Sequence, residues 1–183
     1  MGFGFFGKVP QKGDYLALNL PPAVLGPVET WLAAALAASR AELGPAWQDH
    51  YLVAPIWRFW LPPSALGLGC AGSIMSSVDI GGRYFPATII YVASKARALA
   101  PPQEWDSAGW YHAIDQRLLT ILAAQDDTYL PNLLQGLPPP AAFDSSETRS
   151  HWWRGTPDTE GFATFQADGL PPPARYARML AGP

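Results

Sequence analysis

The sequence predicts an α/β layered sandwich in which a mixed β-sheet is flanked by helices. Short segments rich in aromatic and β-branched residues are typical of strands, and two long amphipathic stretches between them are typical of helices. A connection that contains a long helix allows the strands on either side of it to cross over instead of forming a simple hairpin. The chain shows neither internal repeats nor a change in composition, so we assign residues 1–183 to a single domain.

The first part of the chain predicts a strand and a long helix. Residues 3–6 form the strand, and residues 7–14 form a loop punctuated by glycine. Gly26-Pro27 predicts a helix start, because proline at the first helical position loses no hydrogen bond there, and Gly44-Pro45 predicts its end. The buried stripe of this helix consists of apolar residues at helical spacing: Val28, Trp31, Leu32, Ala35, Leu36 and Leu43.

An aromatic strand is predicted at residues 55–60, after a short helical turn at residues 46–51. Strand alternation places Arg58 on one face with Ile56 and Trp60. Arg58 has two interpretations. It is either a structural cation held against a ring or a carboxylate, or a residue that contacts a partner.

The second part of the chain predicts four more strands and a short final helix. Residues 70–77 and 85–92 are apolar and β-branched enough for strands buried on both faces. Residues 151–154 and 161–165 follow as two strands on either side of a polar turn. Residues 171–180 then form a short helix. It is expected to bury Tyr176, Met179 and Leu180.

A second amphipathic helix is predicted over residues 107–125, after a linker around Pro101-Pro102. Its buried stripe is expected to contain five side chains: Trp110, Ile114, Leu118, Ile121 and Leu122. Residues 131–144 include a run of three prolines and lack periodicity. They indicate either an ordered surface connection or a mobile loop.

The polar stretch at residues 77–86, which we call the central loop, joins two of the buried strands. Asp79 and Arg83 flank Gly81-Gly82, a pair that permits positive φ and lets backbone N–H groups turn inward. Either the two charged side chains hold the loop together, or they form a surface that another molecule recognises. We expect Asp79 to accept N–H groups of the turn, and Arg83 to present part of its guanidinium at the surface.

Composition and charge narrow the classes of function. The net charge of −3 gives no basic footprint for nucleic acid. The single cysteine, Cys70, excludes an internal disulfide and suits a reducing compartment. We find no signal peptide and no apolar segment long enough for a membrane span, so we expect a cytoplasmic protein without direct membrane insertion.

Motifs for catalysis or for a cofactor are not found. The spacing Gly2-x4-Gly7-Lys8 resembles a phosphate loop, but Val9 stands where Ser or Thr should hold magnesium. No arrangement typical of an activated nucleophile or a metal cluster is visible, so we expect no catalytic residues, no metal and no cofactor. In the remaining enzyme hypothesis, a phosphate is held by Lys8, Lys12 or Arg83. Asp79 then acts as acid or base.

Four motifs in order resemble the TagF/ImpM family of type VI secretion-associated proteins. They are Phe5-Phe-Gly-Lys-Val-Pro-Gln-Lys-Gly-Asp14, Ala54-Pro-Ile-Trp-Arg-Phe59, the central-loop residues Ser77-Val-Asp79 with Gly82-Arg-Tyr-Phe-Pro86, and His151-Trp-Trp153 followed by Gly169-Leu-Pro-Pro172. The resemblance spans nearly the whole chain. It implies a bacterial cytoplasmic regulator that represses the secretion system after translation.

The resemblance also implies a partner, the forkhead-associated scaffold protein of the apparatus. The residues that we expect to contact it are the charged members of the motifs: Lys8, Lys12, Asp14, Arg58, Asp79 and Arg83. The alternatives are a phosphate-handling enzyme and a structural accessory subunit of the secretion apparatus.

The sequence departs from the family pattern close to these residues. Ser76 replaces a common proline, Ile80-Gly81 replace a basic and β-branched pair, and Gln11 takes a position often held by a small or basic residue. Asp79, Gly82 and Arg83 are intact, so we expect the turn to be preserved.

Overall fold

A computed structural model describes residues 1–94, 99, 109–140 and 146–182 of the chain. The expected linker at Pro101-Pro102, the beginning of the predicted second helix and residues 141–144 of the proline-rich connection lie outside these residues.

The fold is built on one seven-stranded sheet with helices on both faces. The strands are β1 (Phe3–Gly7), β2 (Leu16–Leu18), β3 (Trp57–Leu61), β4 (Cys70–Met75), β5 (Ala87–Val92), β6 (Ser150–Arg154) and β7 (Ala163–Ala167). Their order across the sheet is β2-β1-β5-β4-β3-β6-β7. The helices are α1 (Pro22–Leu43), α2 (Trp47–Leu52), α3 (Pro63–Leu66), α4 (Trp110–Ala123) and α5 (Arg175–Ala181). The layered α/β class is confirmed.

One detail of the expected sheet is corrected: neighbouring strands are antiparallel throughout, not a mixture of parallel and antiparallel pairs. The two connections that contain the long helices join β2 to β3 and β5 to β6. Neither pair of strands is adjacent in the sheet, so neither connection produces a parallel pair. The sequence shows the length of a connection but not which strands become neighbours.

Two hydrophobic cores cover the two faces of the sheet. One lies under α1, α2 and α5, and the other lies under α4. Every residue of β3, β4 and β5 is buried, as expected for strands covered on both faces. The alternation predicted for β3 is confirmed, because Trp57 and Phe59 belong to the first core and Trp60 belongs to the second.

Helix α1 begins one turn earlier than predicted, at Pro22 instead of Pro27. Both prolines satisfy the rule for the first helical position, but the buried stripe extends back to Val24 and so favours the longer helix. Pro27 lies in the second turn, where its missing N–H removes one helical hydrogen bond. The rest of the predicted stripe is confirmed, with Leu43 only partly buried at its end.

Helix α4 buries four of its five predicted side chains. Leu122 is the exception and is 49% exposed, because Ile121 occupies the sheet-facing position at that turn. Tyr111 and Asp115 complete the buried face. The short elements β2 and α3 have no clear sequence signal, because three or four residues are too few to show a period.

Among the described residues, no helix combines the length and the apolar character needed to cross a membrane.

Leu36→Ala tests the packing of α1 against the sheet. Leu36 is 7% exposed, and its loss should lower the free energy of unfolding by about 2–5 kcal/mol through lost transfer energy and a cavity. Urea unfolding measures this change.

Leu122→Ala is the matched control, because it removes the same atoms from a half-exposed position, and it should cost no more than about 1 kcal/mol. Equal urea midpoints for the two variants would show that the buried face of α1 is assigned incorrectly.

Candidate functional site

The central loop continues the β4–β5 hairpin and then closes into a tight turn. Ser77 O accepts a hydrogen bond from Phe85 N at 3.1 Å, and Arg83 O accepts one from Asp79 N at 3.0 Å. Gly82 has φ +76°, a left-handed conformation that glycine adopts without strain. The residues between Asp79 and Arg83 are exposed.

The carboxylate of Asp79 holds the turn closed from inside. Its Oδ1 accepts hydrogen bonds from Gly81 N and Arg83 N, both at 2.9 Å. Its Oδ2 accepts one from Arg83 Nε at 2.8 Å. Asp79 therefore accepts N–H groups of the turn, as expected, and it also pairs with Arg83.

A buried lysine near the start of the sequence, Lys8, completes the cluster. Lys8 Nζ lies 2.6 Å from Asp79 Oδ2 and donates a second hydrogen bond to Gly13 O at 3.0 Å. The side chains of Lys8 and Asp79 are 4% and 0% exposed. Lys8 Nζ also lies 4.4 Å from the ring centroid of Tyr15. This pair joins the loop at residues 8–14, which we call the N-terminal loop, to the central loop.

Arg83 connects the two loops a second time, at the surface. Its Nη2 donates to Gly13 O while its Nε pairs with Asp79. The side chain is nonetheless 61% exposed. Arg83 therefore supports the loop and presents the remaining N–H donors of its guanidinium to solvent.

These contacts fix the charge state of Asp79. The hydrogen bond from Lys8, followed by those from the backbone and side chain of Arg83, holds the pKa of the Asp79 carboxyl far below its usual range. A carboxylate with so low a pKa is a poor proton acceptor at neutral pH.

Gln11 attaches the N-terminal loop to helix α4. The amide nitrogen of Gln11 donates to the carbonyls of Ile121 and Ala124, at the end of α4, and so satisfies acceptors that a helix terminus leaves unpaired. The hydroxyl of Tyr129 donates to Gln11 Oε1 at 2.9 Å. Lys12 and Asp127 add an exposed ion pair at 2.8 Å. Gln11 thus has a structural role.

Gly7 permits the close approach of β1 to the end of the central loop. A Cβ at Gly7 would lie 2.0 Å from Pro86 O, and its φ of +143° disfavours any other residue. This approach brings Lys8 to Asp79.

The structure brings together five of the six residues predicted to contact a partner. Lys8 and Asp79 form the buried pair, and Arg83 lies beside this pair with an exposed side chain. Lys12 and Asp14 lie on the exposed part of the N-terminal loop.

Arg58 lies elsewhere, in the core beneath α4. It is 8% exposed, and its Nε donates to Asp115 Oδ2 at 2.9 Å, while Ser73 Oγ donates to Asp115 Oδ1 at 2.7 Å. Arg58 therefore anchors α4 to β3, which agrees with the structural interpretation of this residue.

The sequence did not predict the contacts that Gln11, Tyr15 and Asp115 make. The only signal for Asp115 is an acid on the buried face of an amphipathic helix, which requires a cationic partner inside the core. Gln11 and Tyr15 lie in a loop, where no period indicates what a side chain will contact. Among the described residues, no three His, Cys, Asp or Glu side chains are close enough to share a metal ion.

A comparison with protein families matches residues 4–136 to the TagF N-terminal domain, which is described as type VI secretion system-associated. The chain belongs to the TagF family. The matched region contains both loops and every member of the Lys8–Asp79–Arg83 cluster. This TagF chain is therefore a type VI secretion-associated protein, and the family resemblance of its motifs is confirmed.

A solved structure extends the similarity beyond the matched residues. The crystal structure of PA0076 from Pseudomonas aeruginosa PAO1 is 28% identical in sequence, with a TM-score of 0.84 over 99% of the TagF chain and 94% of PA0076. The similarity thus includes β6, β7 and α5, which follow the region that the family model matches. No curated protein matches the sequence.

Asp79→Asn tests the buried ion pair through its pH dependence. Because folding lowers the pKa of Asp79, its contribution to stability is complete above the unfolded pKa of about 3.9 and is lost as the pH falls below it. The variant should melt below the wild type at pH 7, and this difference in melting temperature should shrink below about pH 4.

Asp14→Asn is the control, because Asp14 is exposed and forms no ion pair within the described part of the chain. Its melting temperature should follow that of the wild type across the same pH range. A constant difference between Asp79→Asn and the wild type from pH 7 to pH 3 would contradict the assignment of the low pKa to Asp79.

Proposed function

We propose that this protein is a cytoplasmic repressor of the type VI secretion system that acts after translation, by binding the forkhead-associated scaffold protein of the apparatus. The observation that carries the proposal is the TagF match over residues 4–136. A surface of fixed shape lowers the entropic cost of binding, and the two joined loops provide such a surface.

The proposed contact surface consists of Lys12, Asp14 and Arg83, with Lys8 and Asp79 supporting it from below. Arg83 is held at two of its nitrogens and still 61% exposed, so little side-chain entropy is lost when a partner binds it. A planar guanidinium suits a carboxylate or a phosphate on the scaffold protein. Arg58 is outside this surface because it is buried beneath α4.

The chemistry of Asp79 favours binding over catalysis. A phosphate-handling enzyme would need Asp79 to accept a proton, but its oxygens already accept hydrogen bonds from Lys8, Gly81 and Arg83. Its low pKa also keeps it ionised.

Arg83→Ala and Arg83→Lys test the surface, with calorimetric affinity for the purified scaffold protein measured beside thermal unfolding. Loss of a charge-assisted hydrogen bond across the interface should weaken binding by roughly tenfold in Arg83→Ala. Arg83→Lys should recover only part of the affinity, because an ammonium cannot reproduce the fork of donors. Melting temperature should fall modestly in both variants, since the contacts with Asp79 and Gly13 are lost or weakened.

Arg149→Ala serves as a charge-matched control, because Arg149 is half exposed and pairs with Asp168, outside the two loops. It should bind as the wild type does. Wild-type affinity in both folded Arg83 variants would exclude Arg83 from the surface, and failure of the wild-type protein to bind the scaffold would overturn the proposed function itself.

A further inference from the structure

Strand β7 ends the sheet with an edge that no described strand covers. It pairs with β6 on one side, and it is last in the strand order. Natural proteins often protect such an edge with lysine or proline, but the five residues of β7 are Ala-Thr-Phe-Gln-Ala. The outer N–H and C=O groups of β7 are therefore suited to pair with an added strand.

A groove, which we call the β7 groove, runs between β7 and α5 on the face covered by α1. Two adjacent depressions share Phe165, Arg175 and Arg178 and so form a continuous surface. Trp57 and Met179 line its inner part. Ala163 and Phe165 point toward this face, since both pack against the first core.

Three arginines give the β7 groove a positive charge. Arg175 lies over Phe165, with Cζ 4.5 Å from the ring centroid, and Arg154 lies over Trp57 at 5.8 Å. Within the described residues, neither these two nor Arg178 forms an ion pair, and the buried Nε of Arg154 has no acceptor. Glu42 is the acidic residue lining the groove.

We propose that the β7 groove binds an extended polypeptide segment rich in Asp and Glu, which adds to β7 as an antiparallel or parallel strand. Alternate side chains of such a strand face the groove, where carboxylates meet Arg154, Arg175 and Arg178. The rings of Trp57 and Phe165 lie close to the guanidinium groups of Arg154 and Arg175, and neither arginine has a carboxylate partner within the described residues. This local positive charge contrasts with the net charge of −3 of the whole chain.

The β7 groove and the central loop are separate surfaces. None of the groove-lining residues belongs to the N-terminal loop or to the central loop. The inference therefore goes beyond the proposed function and does not depend on the identity of the scaffold partner.

A synthetic peptide of alternating acidic and β-branched residues, labelled with a fluorophore, tests the proposal by fluorescence anisotropy. The wild-type protein should bind it, and binding should weaken as the salt concentration rises. Arg175→Ala and Arg178→Ala should each weaken binding by about two- to fivefold, and the double variant by about tenfold. Arg149→Ala, outside the groove, should bind as the wild type does.

Two further peptides separate charge from strand pairing. The same sequence with Asn and Gln replacing the acids should bind at least fivefold more weakly, since the arginines lose their partners. A peptide N-methylated at every residue should also bind more weakly, because every other N–H of an added strand points toward β7 and full methylation removes these donors in either register. Unfolding midpoints of all variants identify any loss of folded protein.

Several results would overturn the proposal. They are the absence of wild-type binding at millimolar peptide, equal binding of the acidic and amide peptides, and unchanged affinity in the folded double variant. Equal binding of the N-methylated peptide would overturn the strand addition. None of these results bears on the scaffold complex, which Arg83 variants test separately.

Discussion

The ion pair between Lys8 and Asp79 is the interaction on which the surface of this protein depends. Both side chains are buried, and removal of the Asp79 carboxylate would leave the ammonium of Lys8 buried without its counter-charge. Their contact joins the residue after β1 to the connection between β4 and β5. The backbone and side chain of Arg83 then donate to a carboxylate whose position is fixed. The side chain of Arg83 also donates to Gly13 O.

This arrangement explains why the loops differ from ordinary surface loops. Gln11 attaches the N-terminal loop to the end of α4, while Lys8 attaches it to the central loop. The exposed side chains therefore extend from a backbone that is fixed on two sides. Such preorganisation lowers the entropic cost of recognition, which suits a protein that we propose acts by binding.

Much of the fold could be predicted from the sequence, because period and breakers are local properties. The buried stripe of α1, the alternation of β3 and the burial of Tyr176, Met179 and Leu180 all follow from spacing alone. Strand order, the antiparallel pairing and the start of α1 at Pro22 depend on distant contacts, and the sequence could not supply them. The same limit applies to the site. Asp79 and Arg83 were identified from one loop, but the partnership of Lys8 with Asp79 spans 71 positions.

The strand order has a consequence for how the chain acquires its structure during synthesis. Strand β1 gains its second neighbour only after β5 has been synthesised, and β3 gains its second neighbour only after β6 has been synthesised. Trp31 and Trp57 donate their indole N–H groups to Pro171 O and Met179 O, close to the C-terminus. Because contacts between distant residues slow folding, we expect the core beneath α1 to stay incompletely packed in the nascent chain until α5 has been synthesised. A chain truncated before α5 would therefore be a substrate for chaperones and proteases and not a smaller version of the protein.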